Sequence, residues 1–261
     1  MLNSTPRRRV LVTGGGTFLG DNIAAALIAE GVEVTLLVRP GGEDNLGGLA
    51  QRARWVTADV WDAASLRGRA RGHACVVHTV GSLTDDPAKG LTFQRMNFVS
   101  ARNVINMCSS DGVPFCVLLS TVSAPWLHRQ YIVAKREAEQ YMDRMGVDGV
   151  IVRAPLTYVR RTRRPLFFRM LNFLRWIPPL GWLGLNRAAP IPVDVLARAV
   201  ARAALDPRAM KPTLYAPDLR RMNTRDELRG GGMPTTAAAL PSAIESLEEE
   251  VPIGFAPRKR W

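Results

Sequence analysis

The run Val10-Leu11-Val12-Thr13 enters three consecutive glycines, Gly14 to Gly16, and continues as Thr17-Phe18-Leu19-Gly20. An apolar, β-branched segment followed by a glycine turn forces a sharp reversal, and Ile23, Leu27 and Ile28 then recur at helical spacing. Strand, turn and helix in that order predict the opening of a βαβ unit. The chain is therefore expected to be α/β, a Rossmann-like doubly wound parallel sheet with helices on both faces. The first amides of such a helix have no partner within it and face outward, which suits the pyrophosphate of a dinucleotide. Gly14, Gly16, Thr17, Phe18 and Leu19 are the residues expected around it. Thr17 stands where a third glycine is common and offers an N–H and a hydroxyl. Gly20, one turn on, permits close packing of helix on strand.

The next strand, Glu33 to Val38, ends at Arg39, the position that meets the adenosine ribose. An acidic side chain there would accept from both hydroxyls of NAD(H), whereas a guanidinium pairs with the additional phosphate of NADP(H). NADP(H) is accordingly the expected cofactor, with NAD(H) as the alternative. A short strand at Arg54-Trp55-Val56 leads to Asp59, placed to accept from the adenine amino group, and Val60, placed to cover the base. Asp59 reads equally as a turn or cap residue ahead of a short helix containing Asp62 and Ser65. A further strand, Ala74 to Thr79, ends at Val80-Gly81, small enough for the dinucleotide to lie across the strand ends; His78 within it reads as structural.

Val113 to Leu119 reads as a central strand with Ser120, Thr121 and Ser123 at its carboxyl end, Ser120 being assigned to the cofactor. Tyr131 and Lys135 follow, four residues apart on one helix face. Carbonyl reduction needs this grouping. A tyrosine donates the proton, a lysine favours the phenolate and holds the ribose, and a hydroxyl from Thr121 or Ser123 orients the substrate oxygen.

The 261 residues fit one domain, read as residues 1–210 with an apolar insertion at 165–185, followed by an irregular C-terminal extension at 211–261. That extension contains Gly230-Gly231-Gly232 and Glu248-Glu249-Glu250 and lacks a periodic apolar face, so it is read as extended, partner-binding or partly ordered. The insertion sets Phe167, Phe168, Phe173 and Trp176 between arginines, a composition for a membrane interface, for a groove of another subunit, or for covering the protein's own pocket. Net charge is +12, nearly all of the positive charge being arginine. No zinc pattern, basic recognition repeat or aromatic RNA-binding pattern accompanies it, which speaks against nucleic acid and leaves anionic lipid or an acidic assembly surface. Cys75, Cys108 and Cys116 form no close pair and have no histidines at ligand spacing, so reduced thiols and no metal are expected. Residues 1–9 are too short for an ordinary signal peptide, while their basic, acid-free composition leaves a short organellar targeting sequence open. No apolar run reaches membrane-spanning length.

Taken together, the glycine turn, Val80-Gly81, Asn97, Tyr131 with Lys135, the Arg153 to Tyr158 segment and Pro192-Val193-Asp194-Val195 resemble an atypical short-chain dehydrogenase/reductase over residues 8–206. Within that group, Tyr131 to Glu139 and the helix ending in Leu205-Asp206-Pro207 are most similar to the mitochondrial branch containing the nucleotide-binding accessory subunit of respiratory complex I and a coenzyme Q biosynthesis factor. The resemblance implies bound NADP(H) and a noncatalytic accessory role. It places the protein peripherally on the matrix side of the mitochondrial inner membrane, with respiratory subunits and lipid as partners. The expected catalytic hydroxyl aligns with Val122 and the interval from Ser120 to Tyr131 is short, which sets the noncatalytic reading first. The alternative is an active NADPH-dependent reductase of a hydrophobic carbonyl or quinone-like substrate, in the soluble matrix or a bacterial cytoplasm.

Overall fold

The structure is a computed structural model, and it describes residues 8–160, 186–206 and 210–231. The apolar insertion at 165–185, residues 1–7 and the tail from 232 onward, each given a role above, lie outside the described residues.

Strand β1 (Arg9–Gly15) is followed by helix α1 (Phe18–Ala29) and β2 (Glu33–Val38). Strands β3 (Arg54–Thr57) and β4 (Cys75–His78) precede helix α2 (Ser100–Asp111). After β5 (Cys116–Thr121), helix α3 (Arg129–Arg144) and β6 (Gly149–Ala154), the short strands β7 (Thr157–Tyr158) and β8 (Ile191–Pro192) pair beside the main sheet. Helix α4 (Val193–Leu205), strand β9 (Thr213–Leu214) and helices α5 (Ala216–Arg221) and α6 (Arg225–Arg229) complete the described chain.

The main sheet has seven strands in the order β3-β2-β1-β4-β5-β6-β9, and every neighbouring pair is parallel. The order reverses between β1 and β4, which makes the doubly wound topology expected from the sequence and opens a crevice at the carboxyl ends of those strands. Both faces are covered, so the central strands are apolar on both sides. Val10, Val12, Val117 and Leu119 face a core shared with α1 and α4, while Leu11, Cys116 and Leu118 face one shared with α2 and α3.

Two expectations change. The short helix anticipated after Asp59 is a run of turns, because the Asp59 and Asp62 carboxylates accept from the amides of Trp61 and Ala64 and hold the backbone out of helix. The chain beyond 210 does not begin as an extended tail: β9 pairs with β6 through Ile151 and Val152, and Arg202 in α4 holds α6 through Glu227 at 2.6 Å. Burial of Leu214, Ala216 and Leu219 in the α1–α4 core draws this segment in.

Candidate cofactor and active site

Gly14 and Gly16 both lie at φ 79°, a left-handed conformation that a side chain would strain. A Cβ on Gly14 would also stand 2.7 Å from the Thr79 hydroxyl, and one on Gly20 would overlap the Gly14 carbonyl oxygen. The turn therefore closes onto the helix only because these positions lack side chains. Thr17 caps α1: its hydroxyl donates to the Gly14 carbonyl at 2.6 Å and accepts from the Gly20 amide at 3.3 Å. That commitment corrects the expectation of a hydroxyl offered to phosphate. The amides of Phe18 and Leu19 open the helix with no intrahelical acceptor, leaving an anion seat of the expected kind.

Asp21 was not singled out from the sequence. Its Oδ1 accepts from the Gly16 amide at 2.8 Å, and burial pushes its carboxyl up to about 7 against the pull of that bond. The only local signal was an acidic residue in the first helical turn, and nothing in the sequence indicates that it folds back under the glycines.

Arg39 ends β2 on the surface, and its guanidinium has no ion pair or hydrogen bond among the described residues. Asp59 is half-buried, with its Oδ1 taken by the Trp61 amide, so the turn role is the one on view. Val60 is buried against α2 and its carbonyl accepts from Asn103. Just past β4, Val80 lies beside the glycine turn, and the buried Gly81 follows against Asn97 and Lys135.

Asn97 holds this crossing. Its amide donates to the carbonyls of Ser82 (2.9 Å) and Phe93 (3.1 Å) while its oxygen accepts from the Ser82 amide (3.0 Å). It sits in a widened π-turn, Gln94–Val99, that leads into α2. Lys135, 4% exposed, reaches from α3 under the same crossing and donates to the carbonyls of Val80 (3.3 Å) and Leu119 (3.1 Å). A Cβ on Gly81 would be 2.6 Å from both Lys135 Nζ and Asn97 Oδ1. Burial pushes the Lys135 ammonium down to about 8, with Glu139 opposing.

Tyr131 is fully enclosed, near Phe93, and Thr121 is the side-chain hydroxyl that acts on its phenol, while donating to the Val122 carbonyl at 3.3 Å. Burial pushes the phenol up to about 12, with Thr121 and the Arg136 charge opposing. Of the two hydroxyls left open by the sequence, Thr121 is thus the one beside Tyr131. Ser123 is exposed and lies 3.4 Å from an Arg136 nitrogen. Val122, where the resemblance placed the missing hydroxyl, is buried against Ala124 and Ala188. Ser120 does not face the crevice as expected: its hydroxyl donates to Glu139. The side chain points to the α3 side because strand alternation sets it opposite to Leu119. Buried His78 pairs through Nδ1 with the Thr13 hydroxyl at 3.0 Å, and burial pushes its pKa down to about 3, the structural role read for it.

Glycine turn, helix N-terminus, strand-end glycine and buried lysine converge on the carboxyl edge of one parallel sheet. A family model described as NAD(P)H-binding matches residues 14–164. The chain belongs to that family. NAD(P)H is its cofactor class, and the cradle at Gly14, Gly16 and Gly20 fits it. An uncharacterized chloroplastic protein of Arabidopsis thaliana is 28% identical over 221 residues, covering 76% of this chain and 72% of that one. Human sterol-4-alpha-carboxylate 3-dehydrogenase, decarboxylating, is 29% identical over 122 residues, 47% of this chain but only 31% of that enzyme. The Bordetella bronchiseptica enzyme WbmH, solved with NAD+, superposes with a TM-score of 0.56 at 21% identity over 76% of this chain and 72% of its own, a likeness of fold.

These findings correct the noncatalytic reading. Relatives matched by sequence include proteins named as dehydrogenases and reductases, among them the sterol-4-alpha-carboxylate 3-dehydrogenase above and a rice cinnamoyl-CoA reductase, and the Thr121 hydroxyl lies buried next to Val122. The likeness holds at the level of the dehydrogenase/reductase group and not of its mitochondrial branch. The inner-membrane placement, the respiratory-chain role and the ubiquinone connection rested on that branch and are corrected with it, since the named relatives are dehydrogenases and reductases of other kinds. Among the described residues no helix is long and apolar enough to cross a membrane.

Proposed function

We propose that the protein is an NADPH-dependent reductase of a small carbonyl compound. The observation that carries this reading is the gathering of buried Tyr131 and Thr121 at the carboxyl end of β5, with Lys135 buried beneath Gly81 on the same helix face as Tyr131. A nicotinamide cofactor held here would supply the hydride for the carbonyl carbon. Tyr131, protonated throughout the physiological range, delivers a proton to the carbonyl oxygen as charge develops there, and Thr121 holds that oxygen in place. Lys135, already anchored by two strand carbonyls, is placed to meet the cofactor ribose and to stabilise the phenolate left behind. Gly14, Gly16, Phe18 and Leu19 would seat the pyrophosphate, Val80 and Gly81 would let the dinucleotide pass, and Arg39, unpaired among the described residues, would favour the phosphorylated cofactor.

The test is NADPH consumption with product identification over a panel of aldehydes and ketones, comparing the protein with Tyr131→Phe. Multiple turnovers that fall by about 10²-fold or more in the variant, with nucleotide content retained, are expected. Absence of turnover across the panel, or turnover that survives the substitution, overturns the reading.

A further inference from the structure

Next to Thr121, at the carboxyl ends of β5 and β6, the charges do not balance. Among the described residues Glu139 is the only carboxylate paired with these arginines, and both its oxygens are already occupied by Arg153: Nε lies 3.1 and 3.2 Å from them and Nη2 2.6 Å from Oε2. Ser120 donates to the same carboxylate. That much ties α3 to the sheet and needs one arginine. A second, Arg136, nevertheless pairs with Glu139 and donates to Ser120 Oγ (3.1 Å) and the Thr121 carbonyl (2.7 Å). Its pKa is lowered, first by burial and also by the charge of Arg153, against the pull of Glu139.

A third guanidinium, Arg187, stacks on the Tyr215 ring at 4.8 Å, and Tyr215 Oη accepts from Arg153 Nη1 at 2.6 Å. Arg187 is exposed, and no carboxylate pairs with it among the described residues. Two guanidiniums therefore share one carboxylate, and a third lies on the Tyr215 ring whose hydroxyl Arg153 holds. Arg136 and Arg153 are only 23% and 26% exposed, so water screens their mutual repulsion poorly. An anion in this place relieves the excess, and planar guanidiniums offer paired donors to carboxylate or phosphate oxygens.

We propose that Arg136, Arg153 and Arg187 form a subsite for an anionic group, carboxylate or phosphate, carried by the substrate. The word "substrate" rests on the reductase reading above, whereas the anion site stands on the charge cluster and is read without turnover. Its position beside Thr121 puts that group on the β6 side of the reacting carbonyl, away from the glycine turn.

The experiment is calorimetric titration of the full chain, saturated with NADP+ so that the dinucleotide seat is filled, with inorganic pyrophosphate and separately with succinate. The variants are Arg187→Gln, whose exposed side chain makes no hydrogen bond the fold needs, Arg136→Gln, and Arg67→Gln as an exposed arginine elsewhere. Saturable 1:1 binding of at least one anion is expected, weakened about tenfold or more by Arg187→Gln and unaffected by Arg67→Gln. The stronger ligand distinguishes phosphate from carboxylate chemistry. No saturable binding of either anion, or equal affinities for the Arg187 and Arg67 variants, overturns the subsite. Turnover of neutral carbonyls with no anion binding would sink the subsite alone, and anion binding with no turnover would sink the reductase reading alone.

Discussion

Replacing Asp21 by Asn should stabilise the protein above neutral pH. The Asp21 carboxyl, ordinarily near 3.8, titrates at about 7 in the fold because burial disfavours its charge. At about 1.4 kcal/mol per factor of ten, that difference corresponds to at most about 4 kcal/mol of destabilisation in the ionised state. The folded state binds the proton more tightly than the unfolded chain. Stability therefore falls as pH rises from about 4 to about 7, and the whole penalty is present above that window. Asparagine keeps the oxygen that accepts from the Gly16 amide at 2.8 Å but cannot ionise. The expected gain is about 2 to 4 kcal/mol at pH 8, shrinking toward zero near pH 4, with Tm rising by roughly 2 to 4 °C per kcal/mol for a domain of this size. Thermal and urea unfolding of both proteins in parallel from pH 4 to pH 8 reads this directly. Parallel pH profiles, or an asparagine variant less stable at pH 8, would refute the reasoning that Asp21 is a buried ioniser.

Gly81→Ala places a Cβ 2.6 Å from Lys135 Nζ and Asn97 Oδ1, so turnover should drop about tenfold or more and NADP(H) retention should weaken in a mass-spectrometric assay. Thr121→Val should lower kcat by about 10²-fold with the nucleotide content preserved, a larger loss than Ser123→Ala causes. Glu227, whose pKa is pulled down to about 2 by its hydrogen bond to Arg202, contributes stability that is fully present above about 4.5 and lost as pH falls toward 2. Glu227→Gln should therefore remove part of the acid sensitivity and speed hydrogen exchange in α6, at a cost of about 1 kcal/mol at pH 7.

The sequence by itself determined the first strand, turn and helix, because their signals are local: β-branched alternation, glycines that alone tolerate φ near 79°, and apolar residues at helical spacing. The strand from Glu33 to Val38 and the Tyr131–Lys135 face were legible for the same reason. Strand β9, two residues long, carries no periodicity, and only its pairing with Ile151 and Val152 makes it part of the sheet. Tertiary structure also chose Thr121 over Ser123, because the two hydroxyls are two residues apart in sequence but one is buried beside Tyr131 and the other is solvent-exposed. It set the seat of Lys135 between Val80 and Leu119, and it gathered Arg136, Arg153 and Arg187 from a helix, a strand and a single helical turn. Asp21 shows the same division: its place in the first helical turn is written in the sequence, whereas its perturbed titration comes from what the fold packs around it. Local conformation follows from neighbours along the chain, while charge balance, burial and proton affinity depend on residues that meet only when the sheet closes.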